Sequence, residues 1–168
     1  MISDYAKGFL SPALLEAVIA SAVDARKPVF ADPKGADYTR YRGATLLKPN
    51  RAELALLTAM PVTHHAEAIA AGCRLSALLA GTRVLVTEGA EGMTLFADGA
   101  RVEHVASKPR QVFDVTGAGD TVLATLAMAV TAGASWLEAM QLATVAAAIA
   151  IEQMGAAVVT CAQLEAAL

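Results

Sequence analysis

The sequence predicts an α/β fold: a mostly parallel sheet with helices on both faces and an antiparallel hairpin at one edge. Three observations carry this prediction. Short apolar runs alternate with segments of helical periodicity between residues 11 and 89, and strands buried on both faces of a parallel sheet read as continuous apolar runs. "GMTLFADGARVEHVA" (92 to 106) alternates about Asp98-Gly99, a turn dipeptide between two strand-like stretches. From residue 117 two apolar helices follow, divided by Gly133.

Each element has a local cause. Ser11-Pro12 supplies a cap and a first-turn proline before Leu14, Leu15, Val18, Ile19 and Ala22, which recur at helical spacing until Pro28. "KPVFADPKG" (27 to 35) and "ATLLKPN" (44 to 50) are short buried strands ending in polar turns. Helical patterns cover 51 to 59 and 64 to 80, and "RVLVTEG" (83 to 89) is the next strand. Ser135-x-x-Glu138 and Thr160-x-x-Gln163 are capping boxes that start the later helices. "MISDYAKG" has only two apolar residues before a polar turn, so the first strand is expected to be missing or clipped. No repeat, low-complexity tract or linker divides the 168 residues, which fit one domain.

Composition excludes several classes. The chain is 56% hydrophobic with a mean hydropathy of +0.50, a net charge of -3 and a pI near 5.6. Without a Lys/Arg cluster there is no electrostatic footprint for nucleic acid. The apolar run from Thr121 to Ala132 falls short of the roughly 18 residues that suggest a membrane span, and the start lacks a signal-peptide pattern. Cys73 and Cys161 are far apart and in no metal or redox spacing, which suits a reducing compartment. A cytoplasmic location without a membrane partner is the expectation.

The chemistry concentrates in three places. In Thr116-Gly117-Ala118-Gly119-Asp120, glycines entering a helix let backbone N–H groups converge on an anion, and Asp120 beside them suits a base that deprotonates an attacking hydroxyl. The same residues also fit a plain helix start capped by Asp120, and the segment alone does not choose. Neither the Walker loop nor the dinucleotide fingerprint matches, because no Lys-Ser/Thr follows and residue 122 is Val. Asn50 and Glu53 form either a capping box or a carboxamide and carboxylate directed through water at magnesium-bound phosphates. Thr87-Glu88-Gly89-Ala90-Glu91-Gly92 is either a simple connection or a glycine bend that a nucleotide approaches. His64, His65 and His104 share no metal-ligand spacing and are expected to be solvated or capping. Arg40 and Arg42 are expected in a solvated loop, with contact to a phosphorylated substrate, together with Tyr38 and Tyr41, as the alternative.

Together the pieces resemble the ribokinase-like, PfkB-type carbohydrate kinase family. "DVTGAGD" (114 to 120) is similar to its C-terminal signature, "KPNRAE" (48 to 53) to its Asn-x-x-Glu segment and "VTEGAEG" (86 to 92) to its nucleotide-side bend. Within the family, "SDYAKG" and "DPKGADYTRYRGATLLKPN" most resemble kinases that phosphorylate D-glycero-D-manno-heptose 7-phosphate at O1, on the route to ADP-heptose and lipopolysaccharide. The resemblance implies ATP and Mg2+ as cofactors, with K+ in some relatives. It implies Asp120 as base, Gly117, Ala118 and Gly119 as anion hole, and Asn50 and Glu53 near magnesium and the triphosphate. Thr87, Gly89 and Gly92 fall in the ATP site, Asp114 and Thr116 at the loop or a monovalent cation, and Asp32 and Lys34 on the substrate side. Thr144 stands where heptose kinases usually carry Asn, which alters an adenine-side contact.

The resemblance covers only the C-terminal part of such a kinase; the family's Gly-rich sugar-binding segment and small β-sheet lid have no counterpart in this sequence. Two further functions therefore stay open: a noncatalytic nucleotide-binding or assembly module, and a kinase for another sugar. A sheet lacking its first strands exposes an edge, so self-association of the chain is expected.

Overall fold

The computed structural model describes residues 1–107, 113–155 and 158–168. The chain divides into two compact units, Met1–Glu88 with Thr94–His104, and Gly89–Met93 with Val105–Leu168. Six strands form one sheet in sequence order: β1 (Ile2–Ser3), β2 (Phe30–Asp32), β3 (Leu46–Leu47), β4 (Arg83–Thr87), β5 (Met93–Ala97) and β6 (Ala100–Val105).

In the first unit β1 to β4 pair parallel, with Ile2 opposite Ala31, Ala31 opposite Leu47 and Leu47 opposite Val84. The first strand, expected to be missing or clipped, is present in clipped form as the two residues of β1. The strands are short because prolines bracket them: Pro28 precedes β2, and Pro33 and Pro49 follow β2 and β3, where a residue without N–H cannot extend a ladder. Pairing resumes past Pro49 in a bridge between Asn50 and Thr87.

One sheet face presents Ala31, Leu47, Val84, Val86 and Phe96 to Leu15, Leu54, Leu57, Ala71 and Leu75. These come from helices α1 (Pro12–Asp24), α2 (Arg51–Thr58) and α3 (His65–Leu78). Phe30, Leu46, Leu85 and Leu95 on the alternate face are also buried, so both faces are covered, as the apolar strands imply. Each such side chain contributes about 1.5–3 kcal/mol on burial.

The hairpin turns at Asp98 (φ 50°) and Gly99 (φ 82°). Two successive left-handed residues make the type I′ turn whose twist matches paired antiparallel strands. Its tip is anchored where the Gly99 N–H donates to Ser76 Oγ of α3 at 3.0 Å.

The second unit is built on helices α4 (Ala118–Thr131), α5 (Trp136–Ile151) and α6 (Cys161–Ala167). Gly133 (φ 98°) ends α4, and the Ser135–Glu138 and Thr160–Gln163 boxes start α5 and α6. The buried face of α5 includes Ala139, Ala143, Ala146 and Ala150, small residues that let it pack closely on Val122, Leu123 and Leu126 of α4. No helix of the described residues is long and apolar enough to cross a membrane.

Gly72 is where α3 presses hardest on the sheet: a Cβ there would stand 2.5 Å from the Phe96 ring. Gly72→Ala is expected to lower stability by about 1–3 kcal/mol through overpacking, although alanine gains roughly 1 kcal/mol in helix propensity. Urea denaturation checks the sign, and Phe96→Leu in the same chain is expected to recover part of the loss.

Candidate functional site

Because β2, β3 and β4 run parallel, their carboxyl ends share one edge, the place where open α/β sheets gather ligands. Asp32 closes β2 and Lys48 follows β3. Their side chains pair at 3.1 Å, with Lys48 only 3% exposed. Asp32 Oδ1 is buried with no hydrogen-bond partner, so this carboxylate holds an acceptor in reserve. Burial pushes the Asp32 carboxyl above its ordinary value, against the opposing pull of the Lys48 ammonium. Two residues on, the Lys34 ammonium donates to Glu53 Oε1, and this bond raises the lysine's pKa.

Asn50 and Glu53 sit at the next strand end. Asn50 Oδ1 accepts from the Glu53 N–H at 2.9 Å, and Glu53 Oε2 accepts from the Asn50 N–H at 2.8 Å. The capping box is therefore formed, and it holds Glu53 where Lys34 can reach it. The box and a binding role are compatible, since Glu53 keeps further lone pairs and Asn50 stays exposed. Thr87, which ends β4, donates its N–H to the Pro49 carbonyl at 3.1 Å. Thus Asp32, Lys34, Asn50, Glu53 and Thr87 are brought to one edge of the first unit.

Several residues there depart from expectation. Arg40 does not lie in a solvated loop: Tyr38–Tyr41 forms a 3-10 turn, and Arg40 Nη2 donates to the Leu10 carbonyl at 2.5 Å and lies 3.7 Å from Asp4. Tyr41 is fully buried and donates its hydroxyl to Asp4 at 2.7 Å, while Arg42 is exposed as expected. Among the histidines, only His64 fits the expectation, as the exposed N-cap of α3. His65 and His104 instead converge on Glu88, which accepts from His65 Nδ1 at 2.8 Å and from Thr94 Oγ1 at 2.6 Å. Burial works against ionising Glu88, but the bonds from Thr94, His65 and Arg51 win and hold it below the usual glutamate range.

The remaining candidates belong to the second unit. Gly89 (φ 60°) is exposed and Gly92 (φ 95°) is buried. A Cβ on Gly92 would lie 2.1 Å from the Val105 carbonyl oxygen, so this bend requires glycine. Asp114 ties the loop before α4: Oδ1 accepts from the Thr116 N–H and hydroxyl at 2.9 and 2.7 Å, and Oδ2 from the Gly155 N–H at 2.9 Å. The Asp114 and Phe113 N–H groups both donate to the Ile151 carbonyl at the end of α5. On α5, buried Thr144 donates its hydroxyl to the Met140 carbonyl at 2.9 Å.

The start of α4 settles which residue is its cap. Gly117 (φ 79°) occupies that position and Asp120 lies three residues inside, in the first turn. As N-cap, Gly117 offers no side-chain acceptor, and the Ala118 N–H donates to the Val115 carbonyl at 3.2 Å, while helix N-termini in general favour anions. A carboxylate in the first turn is also favoured by the helix dipole.

Comparison with known proteins follows the same lines. Residues 4–161 match the pfkB family carbohydrate kinase. The chain is 48% identical over 164 residues to the bifunctional protein HldE of Geobacter metallireducens, covering 98% of this chain and 34% of that protein. It is 47% identical over 167 residues to the HldE of Caulobacter vibrioides, covering 99% and 35%. The chain thus spans about a third of the length of the curated relatives it matches. Among solved structures, Arabidopsis thaliana ribokinase complexed with ribose and ATP aligns with a TM-score of 0.78 at 32% identity, over 87% of this chain and 48% of that one. Escherichia coli phosphofructokinase-2 in complex with potassium shares the fold at a TM-score of 0.81 and 19% identity, over 94% and 52%.

The loop tie gives a pH-dependent signature. The three bonds on Asp114 hold its carboxyl below the ordinary value, with the Thr116 hydroxyl the largest cause. A depressed carboxyl pKa stabilises the tie fully above the unfolded value of about 3.9, and the tie is lost as pH falls through the lower native value. The Gly155 amide resonance is expected to titrate with a midpoint below 3.9, taking the roughly 3.9 of free aspartate as reference, and to lose this transition in Asp114→Asn.

Proposed function

Because the chain belongs to the pfkB family of carbohydrate kinases, we propose that it carries the nucleotide side and catalytic loop of an ATP-dependent sugar kinase. The proposed acceptor is O1 of D-glycero-D-manno-heptose 7-phosphate, and the whole chain is one segment of the kinase domain. The observation that carries this is the α4 start, where a carboxylate in the first turn adjoins a helix end with no side-chain cap.

In this proposal Asp120 accepts the proton of the sugar hydroxyl as its oxygen attacks the γ-phosphorus of ATP. The amides of Gly117 and Gly119, joined by that of Ala118 when it leaves the Val115 carbonyl, stabilise the negative charge spread over the transferring phosphoryl oxygens. The residues of the first unit's carboxyl edge fit a hydrated Mg2+: Glu53 and Asn50 offer hard oxygens, and such an ion keeps several waters. When bound, Mg2+ neutralises phosphate charge. Asn50 and Glu53 hold its waters, and Lys34 and Asp32 meet the phosphorylated sugar. Lys34 supplies positive charge, and the unpartnered Asp32 oxygen accepts from a hydroxyl. Thr87, Gly89 and Gly92 shape the nucleotide's approach, with Thr144 on the adenine side. Asp114 and Thr116 shape the catalytic loop and are the residues a K+ ion would act through.

A second copy of the chain, or a further segment of the same protein, is the proposed cover for the β1 edge, where Tyr5 and Phe9 are 60% and 83% exposed.

The test is Asp120→Asn in a full-length kinase carrying this segment. Turnover of heptose 7-phosphate is expected to fall about 10²- to 10⁴-fold, with Mg-ATP affinity nearly unchanged by calorimetry. Equal turnover in the variant would remove Asp120 as the base, and a panel of sugar phosphates tests the acceptor. Mg-ATP binding without transfer by any restored enzyme would favour a noncatalytic nucleotide module.

A further inference from the structure

His65, Glu88 and His104 come from three elements of the first unit: the start of α3, the residue after β4, and β6. Their ligand atoms all lie within 4.8 Å of one another. The Glu88 side chain is inaccessible and that of His65 is 34% exposed, so the cluster is a buried carboxylate under two half-covered imidazoles. His65 Nδ1 stands 2.8 Å from Glu88 Oε2. Thr94 Oγ1 bridges Glu88 Oε1 at 2.6 Å and His104 Nδ1 at 2.9 Å. The two rings meet edge to face, with centroids 5.1 Å apart.

The proton positions follow from the donor inventory. An ionised Glu88 only accepts, so His65 Nδ1 and the Thr94 hydroxyl donate to it, and His104 Nδ1 donates to the threonine oxygen. Two imidazole nitrogens and a carboxylate oxygen therefore converge on one small volume, held apart by shared protons. Two histidines with a carboxylate are a zinc-binding donor set, and imidazole selects this metal class over magnesium. The Arg51 guanidinium, 3.2 Å from Glu88 Oε2, offsets part of the carboxylate charge. It opposes any cation there, so a metal must be held by coordination bonds rather than by net charge.

We propose that His65, Glu88 and His104 form a site for a zinc-class divalent cation, bound through both Nδ1 atoms and a Glu88 oxygen, with water completing the coordination. Each imidazole moves its proton from Nδ1 to Nε2, so the rings stay neutral as their lone pairs turn to the metal. Tetrahedral zinc holds its donors about 3.4 Å apart, so rotation of the two half-exposed rings draws the ligands together. The cation clamps α3 and β6 to the end of β4. None of the three ligands has a role in the proposed phosphoryl transfer, although Glu88 lies between Thr87 and Gly89 of the proposed nucleotide bend.

The test titrates Zn2+ into the full 168-residue chain after chelator treatment. Calorimetry is expected to give one saturable ion per chain. Co2+ in its place is expected to give visible d–d bands without a thiolate charge-transfer band, which sets aside Cys73 and Cys161. His65→Ala and His104→Ala are each expected to weaken binding about tenfold or more, while His64→Ala leaves it unchanged. If a variant fails to fold, long-range proton–nitrogen spectra of the unaltered chain decide: zinc shifts the ring nitrogens of His65 and His104 and spares His64. Absence of saturable binding, wild-type affinity in folded His104→Ala, or shifts at His64 instead would overturn the site.

Discussion

The carboxyl edge of the first unit depends on a lysine buried beside an aspartate. Lys48 and Asp32 end neighbouring strands, and their register fixes the pair: Ala31 lies opposite Leu47, so the next residues of each strand meet. Neither charge could stay there alone, since removing one partner of a buried pair costs about 3–5 kcal/mol. The pair therefore ties β2 to β3 where their ladder stops. It also sets the directions of the two segments that leave the strands, Pro33-Lys34 and Pro49-Asn50. Everything further along that edge, including the reach of Lys34 to Glu53, inherits this alignment.

Local capping chemistry then serves two purposes at once. Glu53 completes the α2 cap with one oxygen and receives Lys34 with the other, so the helix start and the charged edge are one structure. Asp114 behaves alike in the second unit, where one carboxylate closes a turn on Thr116 and reaches Gly155 across the chain. Residues that look like ordinary helix punctuation thus hold polar groups in fixed positions. This is why a cap and a binding role need not compete at Asn50, Glu53 or Asp114.

What the sequence made legible was local. Asp98-Gly99 announced the hairpin because its conformational demand resides in those two residues, and the boxes at 50–53, 135–138 and 160–163 announced helix starts for the same reason. The clipped first strand was half legible: its apolar content is small, yet two residues suffice when a parallel neighbour supplies the pairing. Arg40 was misread because its partners, Leu10 and Asp4, are remote in sequence. Tyr41 was missed likewise, its hydroxyl bonding Asp4 across 37 residues. The convergence of His65 and His104 on Glu88 escaped for a related reason, since spacing rules detect clusters on one element and these residues come from several. At Asp120 the reading as helix cap fails, because a glycine with positive φ takes the cap position and leaves the aspartate in the first turn. Lys48 carried a usable signal, a charge at the end of a wholly apolar strand, which is affordable only with a buried counterion.

The uncapped start of α4 has a consequence for the stability of the chain. Ser11, Asn50, Ser135 and Thr160 each supply their helices with a side-chain acceptor, an interaction of about 0.5–2 kcal/mol. Gly117 supplies none. An anion bound at this helix end would do for α4 what a side-chain oxygen does for the others. If such an anion binds, the stability of the second unit rises with the logarithm of its concentration above the dissociation constant, through the ordinary linkage of ligand binding to melting temperature.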